Sequence, residues 1–121
     1  MSNTIITDVI IEPFKYQNRN ELEEVTLTQV FFVGSNAFSY CKSLKSVRFG
    51  SDITRISAGA FYDCSALTDV YFDVLNNDKF IEIENSSFPL NVKFHIFSWA
   101  KDNKYLLAYA QKRGIKVEFY N

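Results

Sequence analysis

Ala37-Phe38-Ser39-Tyr40-Cys41-Lys42-Ser43-Leu44-Lys45-Ser46-Val47-Arg48-Phe49 is followed 23 residues later by Ala60-Phe61-Tyr62-Asp63-Cys64-Ser65-Ala66-Leu67-Thr68-Asp69-Val70-Tyr71-Phe72, with Ala, Phe, Cys, Leu, Val and Phe in the same slots. A period of about 20 to 29 residues marks supersecondary units too small to bury an apolar side alone, so each must stack on its neighbour. The two stretches predict a short solenoid, a scaffold that presents surface along its length.

Working outward, Leu44-x-x-Val47-x-Phe49 and Leu67-x-x-Val70-x-Phe72 have the alternation of strands with one buried face, and Leu22-Glu23-Glu24-Val25-Thr26-Leu27 is the same strand one unit earlier. A second apolar pulse follows each strand, at Val30 and Val33, at Ile53 and Ile56, and at Phe80, Ile81 and Ile83, which predicts two short strands per coil. Ile11 and Tyr16 align with Val33 and Phe38, so residues 9–29 are expected to be a degenerate N-terminal repeat ahead of two regular ones at 30–72. Phe88 lies 27 rather than 23 residues beyond Phe61, and the polar stretch Asn76-Asn77-Asp78-Lys79 fits a loop insertion in an irregular repeat at 73–97. Val92, Phe94 and Ile96 then alternate as a strand. From about Ser98 to Arg113 a helix is expected, with Tyr105, Ala108, Tyr109 and Lys112 at helical spacing and Gly114 as its C′ residue. Ile115, Val117 and Phe119 alternate again, so residues 98–121 form a helix–strand cap. The expected fold class is α+β, rich in strand: Leu44-x-x-Val47-x-Phe49 and Leu67-x-x-Val70-x-Phe72 resemble the L-x-x-L-x-L strand of leucine-rich repeats, which implies one leucine-rich-repeat domain over 1–121 with repeats of about 23 residues.

Composition agrees with a folded chain, because 47% of the 121 residues are apolar and 17% aromatic, against 4 Gly and 2 Pro. The charge balance of 13 Lys+Arg to 14 Asp+Glu leaves no basic stripe for a phosphate backbone, which argues against nucleic acid as a partner. The longest apolar runs, Val30 to Val33 and Val9 to Ile11, fall far short of the ~20 residues that cross a bilayer, so membrane insertion by a helix is not expected. Met1 to Asp8 lacks the basic start and apolar stretch of a secretory signal.

Ile56-Ser57-x-x-Ala60-Phe61-x-x-Cys64-x-x-Leu67-x-x-Val70-x-Phe72, and the earlier copy Val33-Gly34-x-x-Ala37-Phe38-x-x-Cys41-x-x-Leu44, resemble the BspA-like leucine-rich repeats of bacteria and parasitic protists. The likeness is specific over residues 30–72 and weaker at 9–27 and 80–96. It implies an interaction surface or adhesin rather than an enzyme, and a secreted or cell-surface location. The family usually carries many repeats behind a signal peptide, whereas this sequence has two clean copies.

Each candidate site in the sequence has a plainer structural role beside the functional one. Cys41 and Cys64 hold one slot in consecutive units, so the thiols stack. Strand rungs ~4.8 Å apart leave parallel Cβ atoms wider than the ~3.8 Å of a disulfide, which favours two buried thiols. Phe38, Phe61 and Phe88 are expected as a core column rather than a ligand shelf. His95, the single histidine, is out of phase with Val92, Phe94 and Ile96 and is expected as a surface imidazole; no metal or catalytic motif accompanies it. Outward-pointing strand positions give two columns, Thr26, Arg48, Tyr71 and Glu24, Ser46, Asp69, with Lys93 or His95 extending the first. These six residues are the candidate binding strip, in which Arg and Tyr are the types enriched at interface hot spots. The competing structural role has Arg48 stacked on Tyr71 and paired with Asp69.

The sequence thus predicts a non-catalytic protein–protein interaction module that needs no cofactor and no metal. A structural or self-assembling unit, forming homo-oligomers through end strands, is the alternative, and glycan binding through Tyr71 a weaker one.

Overall fold

A computed structural model describes residues 3–121. In chain order its elements are β1 (Asn3–Ile6), β2 (Ile10–Ile11), β3 (Glu24–Leu27), β4 (Phe32–Val33), β5 (Ser46–Phe49), β6 (Arg55–Ile56), β7 (Asp69–Phe72), β8 (Glu82–Ile83), β9 (Lys93–Phe97), a 3-10 turn (Ser98–Ala100), α1 (Lys104–Arg113) and β10 (Lys116–Tyr120). Two parallel sheets result: a main sheet in the order β1-β3-β5-β7-β9-β10 and a narrow one in the order β2-β4-β6-β8. Each of the first four coils contributes one strand to each sheet, the arrangement expected from the paired apolar pulses, whereas β9 and β10 have no counterpart in the narrow sheet.

Register keeps the repeat letters on top of one another. Val25, Val47, Val70 and Phe94 form one inward row, and Leu27, Phe49, Phe72 and Ile96 the next. In the narrow sheet Ile11, Val33, Ile56 and Ile83 align. Ile56 meets Ile83 27 residues on, so the four extra residues lie before β8.

A third ladder runs through the turns. Tyr16, Phe38 and Phe61 donate their backbone N–H groups to the carbonyls of Ala37, Ala60 and Ser87 in the next coil, at 2.8, 2.8 and 2.9 Å. These turns need left-handed backbone twice per coil, at Phe14, Asn36 and Gly59 and again at Asn18, Tyr40 and Asp63. All of these but Gly59 bear strain that the inter-coil hydrogen bonds offset. Gly34 is required for a different reason: an added Cβ would sit 2.7 Å from the Ile11 carbonyl oxygen and 2.7 Å from the Pro13 nitrogen, both backbone atoms.

The core is the interior of this tube. Tyr16, Phe38, Phe61 and Phe88 form an unbroken column of parallel rings with centroids 5.2, 5.1 and 5.1 Å apart. Phe49 meets Phe61 and Phe88 edge-on from the main sheet. Cys41 and Cys64 are buried, and each thiol donates to a carbonyl of the preceding coil, Tyr16 O and Phe38 O, both at 3.1 Å. Contact with Cys41, together with burial, pushes the Cys64 thiol up from its ordinary value.

Three expectations change. The first coil starts earlier than residue 9, because β1 pairs with β3 through Thr4–Val25 and Ile6–Leu27. The helix begins at Lys104 rather than Ser98: Asn103 stays extended, and its side chain caps the N–H groups of Tyr105 and Leu106. Lys112 and Arg113 occupy the last turn and Gly114 closes the helix with φ 69°, as expected. Lastly, Phe119 lies opposite Ile96 but is 51% exposed, since β10 is the outer strand of the described sheet.

Candidate functional site

A parallel sheet seldom leaves one face bare, because its strands are usually covered on both sides. Here one face is core and the other faces outward, so its side chains must satisfy one another or a partner. Alternation sets three outward columns. Glu24, Ser46, Asp69, Lys93 and Lys116 form the first; Thr26, Arg48, Tyr71, His95 and Glu118 the second. Asp73, Phe97 and Tyr120 stand beside them, two residues further along their strands. All six strip residues picked from sequence are half-buried on this face. His95, not Lys93, continues the Arg48–Tyr71 column; Lys93 continues the other.

The middle of the face is a stack. The Arg48 guanidinium lies 4.3 Å from the Tyr71 ring centroid, and the Tyr71 ring stacks on the His95 imidazole at 4.3 Å and 13°. Tyr120 meets Tyr71 edge-on at 6.0 Å, and Phe97 lies tilted beside Tyr120 at 5.7 Å. Phe97 also contacts Trp99, which is 65% exposed.

Charges fix the stack laterally. Arg48 Nη1 donates to both Asp73 oxygens at 2.8 and 3.0 Å, and the Tyr120 hydroxyl donates to the same carboxylate. His95 Nε2 contacts Asp69 Oδ1 at 2.8 Å, and Lys93 reaches Glu118 at 3.1 Å. The His95 contact holds the Asp69 carboxyl below the usual carboxylate range. Burial works against charge on Arg48, yet the bond and charge of Asp73 outweigh it and raise the guanidinium pKa. Burial first and Asp73 second push the Tyr120 phenol up.

Two pairings therefore differ from expectation. Arg48 stacks on Tyr71 but pairs with Asp73, because Asp69 is taken by His95. His95 is not a free surface imidazole: its side chain is only 14% exposed, wedged between Tyr71, Asp69 and Glu118. Ser46 and Thr26 stand opposite Asp69 and Arg48 on neighbouring strands, but among the described residues no side-chain hydrogen bond or ion pair joins them or Glu24 to this cluster, and Thr26 donates instead to the Asn3 side chain. Asp73, Phe97, Trp99 and Tyr120 were missed; the alternation of Asp69-Val70-Tyr71-Phe72 carried two residues further would have found Asp73. Among the described residues no group of three or more His, Cys, Asp or Glu side chains is placed to hold a metal ion.

Comparison with known proteins follows the same lines. The sequence model of the BspA type leucine-rich repeat region matches residues 9–115 in six copies. No curated protein sequence matches. The crystal structure of the pneumococcal vaccine antigen PcpA superposes with a TM-score of 0.70 over 93% of this chain, at 18% identity. This chain spans 28% of the length of that one, and the likeness is one of fold.

Proposed function

This chain belongs to the BspA type leucine-rich repeat family, and from that premise we propose that it is a non-catalytic protein-interaction module that binds through the outward face of its main sheet. The observation that carries this reading is the Arg48–Tyr71–His95 stack with its Asp73 and Tyr120 supports. Side chains already ordered lose little freedom on binding, so their contacts convert more fully into affinity. Arg, Tyr and Trp are also the types that dominate interface energetics. An adhesin or surface-recognition role is the finer form of this reading and rests on the family resemblance.

Arg48→Glu combined with Tyr71→Ala is the test. Both side chains are half exposed, so the double variant is expected to fold with a nearly unchanged melt. Binding to a partner identified with the unaltered chain should fall at least tenfold, the scale of losing one hot spot of ~2 kcal/mol. Unchanged affinity would move the site off this face.

A second reading, self-assembly, is favoured by the opposite end of the tube. There β1 is the outer strand of the described sheet, and Ile5, Val9, Ile10, Phe14, Phe31 and Phe32 are 41 to 61% exposed. An unpaired strand edge beside apolar surface is a template for another chain. Sedimentation velocity over a wide concentration range should then show association that Phe32→Lys abolishes. A constant monomer would remove this reading.

A further inference from the structure

The narrow sheet ends at β8, and what lies beyond its edge is not another strand but α1. Glu82 and Glu84 donate their N–H groups to Thr54 and Ile56, at 2.8 and 3.0 Å. Backbone groups of alternate residues point to opposite sides of an extended chain, so Ile81 and Ile83, flanking Glu82, turn theirs toward the helix. The cap takes only carbonyls on either side of this pair. Asn103 Nδ2 donates to the Lys79 carbonyl at 3.0 Å, and the Tyr109 hydroxyl donates to the Asn85 carbonyl at 3.0 Å. The N–H and C=O groups of Ile81 and Ile83 have no hydrogen-bond partner among the described residues.

They open onto a groove of about 400 Å³ lined by Ile81, Ile83, Tyr105 and Ala108, with Lys104 and Lys112 at its rim. Neither lysine has an ion pair among the described residues, whereas Arg55 holds the neighbouring carboxylates, Glu82 at 2.9 Å and Glu84 at 3.0 Å. The rim is therefore positive. Eight residues of helix separate the two lysines, ~12 Å along the axis. About four residues of extended chain, at ~3.3 Å each, cover the same distance.

We propose that this groove is a second binding site, which takes a short extended peptide with acidic residues near its two ends as an added strand on β8. The free N–H and C=O groups of Ile81 and Ile83 pair with the peptide backbone, the apolar walls receive its central side chain, and Lys104 and Lys112 meet its carboxylates. The site lies on the narrow sheet and does not depend on the main-sheet face.

The probe is an end-blocked, fluorescein-labelled peptide, Asp-Thr-Val-Thr-Asp, titrated against the whole chain by fluorescence anisotropy. Saturable binding is expected, with slowed hydrogen exchange at the Ile83 amide. Lys104→Glu with Lys112→Glu should weaken it about tenfold, and added salt should weaken it further. Ala108→Trp, at an exposed helix position, should block the groove without loss of fold. The same peptide N-methylated at its valine should fail to bind. The proposal is overturned by no saturable binding, by equal binding of the N-methylated peptide or of a lysine-ended one, or by insensitivity to both variants. Binding of dodecanoate that leaves the Ile83 amide unprotected, with none of the peptide, would equally overturn it in favour of an apolar-tailed anion.

Discussion

Truncating Phe61 to Ala is expected to lower the thermal midpoint by about 10–20 °C, the consequence of losing ~3–5 kcal/mol in a domain of this size. Phe61 is fully buried, sandwiched by Phe38 and Phe88 at 5.1 Å on either side and touched edge-on by Phe49. Removing the ring takes a member from the middle of the column, and the coils cannot close the gap. Phe38 N–H is tied to Ala60, Phe61 N–H to Ser87, and the Cys64 thiol to Phe38, so the backbone spacing is held by hydrogen bonds that the cavity does not relax. In a stack where each unit leans only on its neighbours, a fault at the central unit weakens the contacts on both sides. Tyr16→Ala, at the half-exposed end of the same column, should cost distinctly less. A drop of only a degree or two for Phe61→Ala, measured calorimetrically, would contradict the buried column.

The column was legible in the sequence because stacked positions share one environment, and one environment admits one class of side chain. That is why Phe38 recurs as Phe61, Cys41 as Cys64 and Val47 as Val70. The turn positions carry no such signal: Asn36 and Gly59 share a left-handed slot with Phe14, and Tyr40 shares another with Asp63. There the backbone ladder between coils sets the conformation, and the side chain only tolerates it. β1 was invisible for a related reason. As the outermost strand it buries only Ile6, so Asn3-Thr4-Ile5-Ile6 lacks the paired apolar letters of the inner strands.

The outward face was legible in position but not in pairing. Alternation places Arg48 and Tyr71 in one column and leaves Lys93 or His95 to extend it, and register gives His95. Which carboxylate an arginine chooses depends on where its long stem lies. Arg48 rests over the Tyr71 ring and so carries its head to the next column, to Asp73. His95 is covered for the same reason, since a flat ring beside Tyr71 gains more by stacking than by facing water. Tyr120 and Phe97 come from the cap side, outside the doubled stretch, so repetition could not point to them.

Asn103→Ala should have the other large effect, and it separates the cap from the coils. Asn103 is fully buried and its amide is saturated: Nδ2 donates to Asn76 O at 3.3 Å and Lys79 O at 3.0 Å, while Oδ1 accepts from Tyr105 N at 3.1 Å and Leu106 N at 3.2 Å. Four hydrogen bonds are the full capacity of the group. Losing a cap costs ~1 kcal/mol, and the two part-buried loop carbonyls left without their donor add ~1 kcal/mol each, the low end for such groups, so a total of ~3 kcal/mol is expected. The inserted loop at 76–79 is thus what the helix hangs on, rather than a surplus turn. Asn103→Ser isolates the two roles, because a hydroxyl still caps Tyr105 and Leu106 but is too short to reach both loop carbonyls. Its loss in denaturant titrations should fall between the unaltered chain and Asn103→Ala. If Ser restores full stability, capping alone matters and the loop contacts are incidental. If Ser is as damaging as Ala, the loop carbonyls dominate, and α1 is held against β8 chiefly by the side chain that reaches across to Lys79.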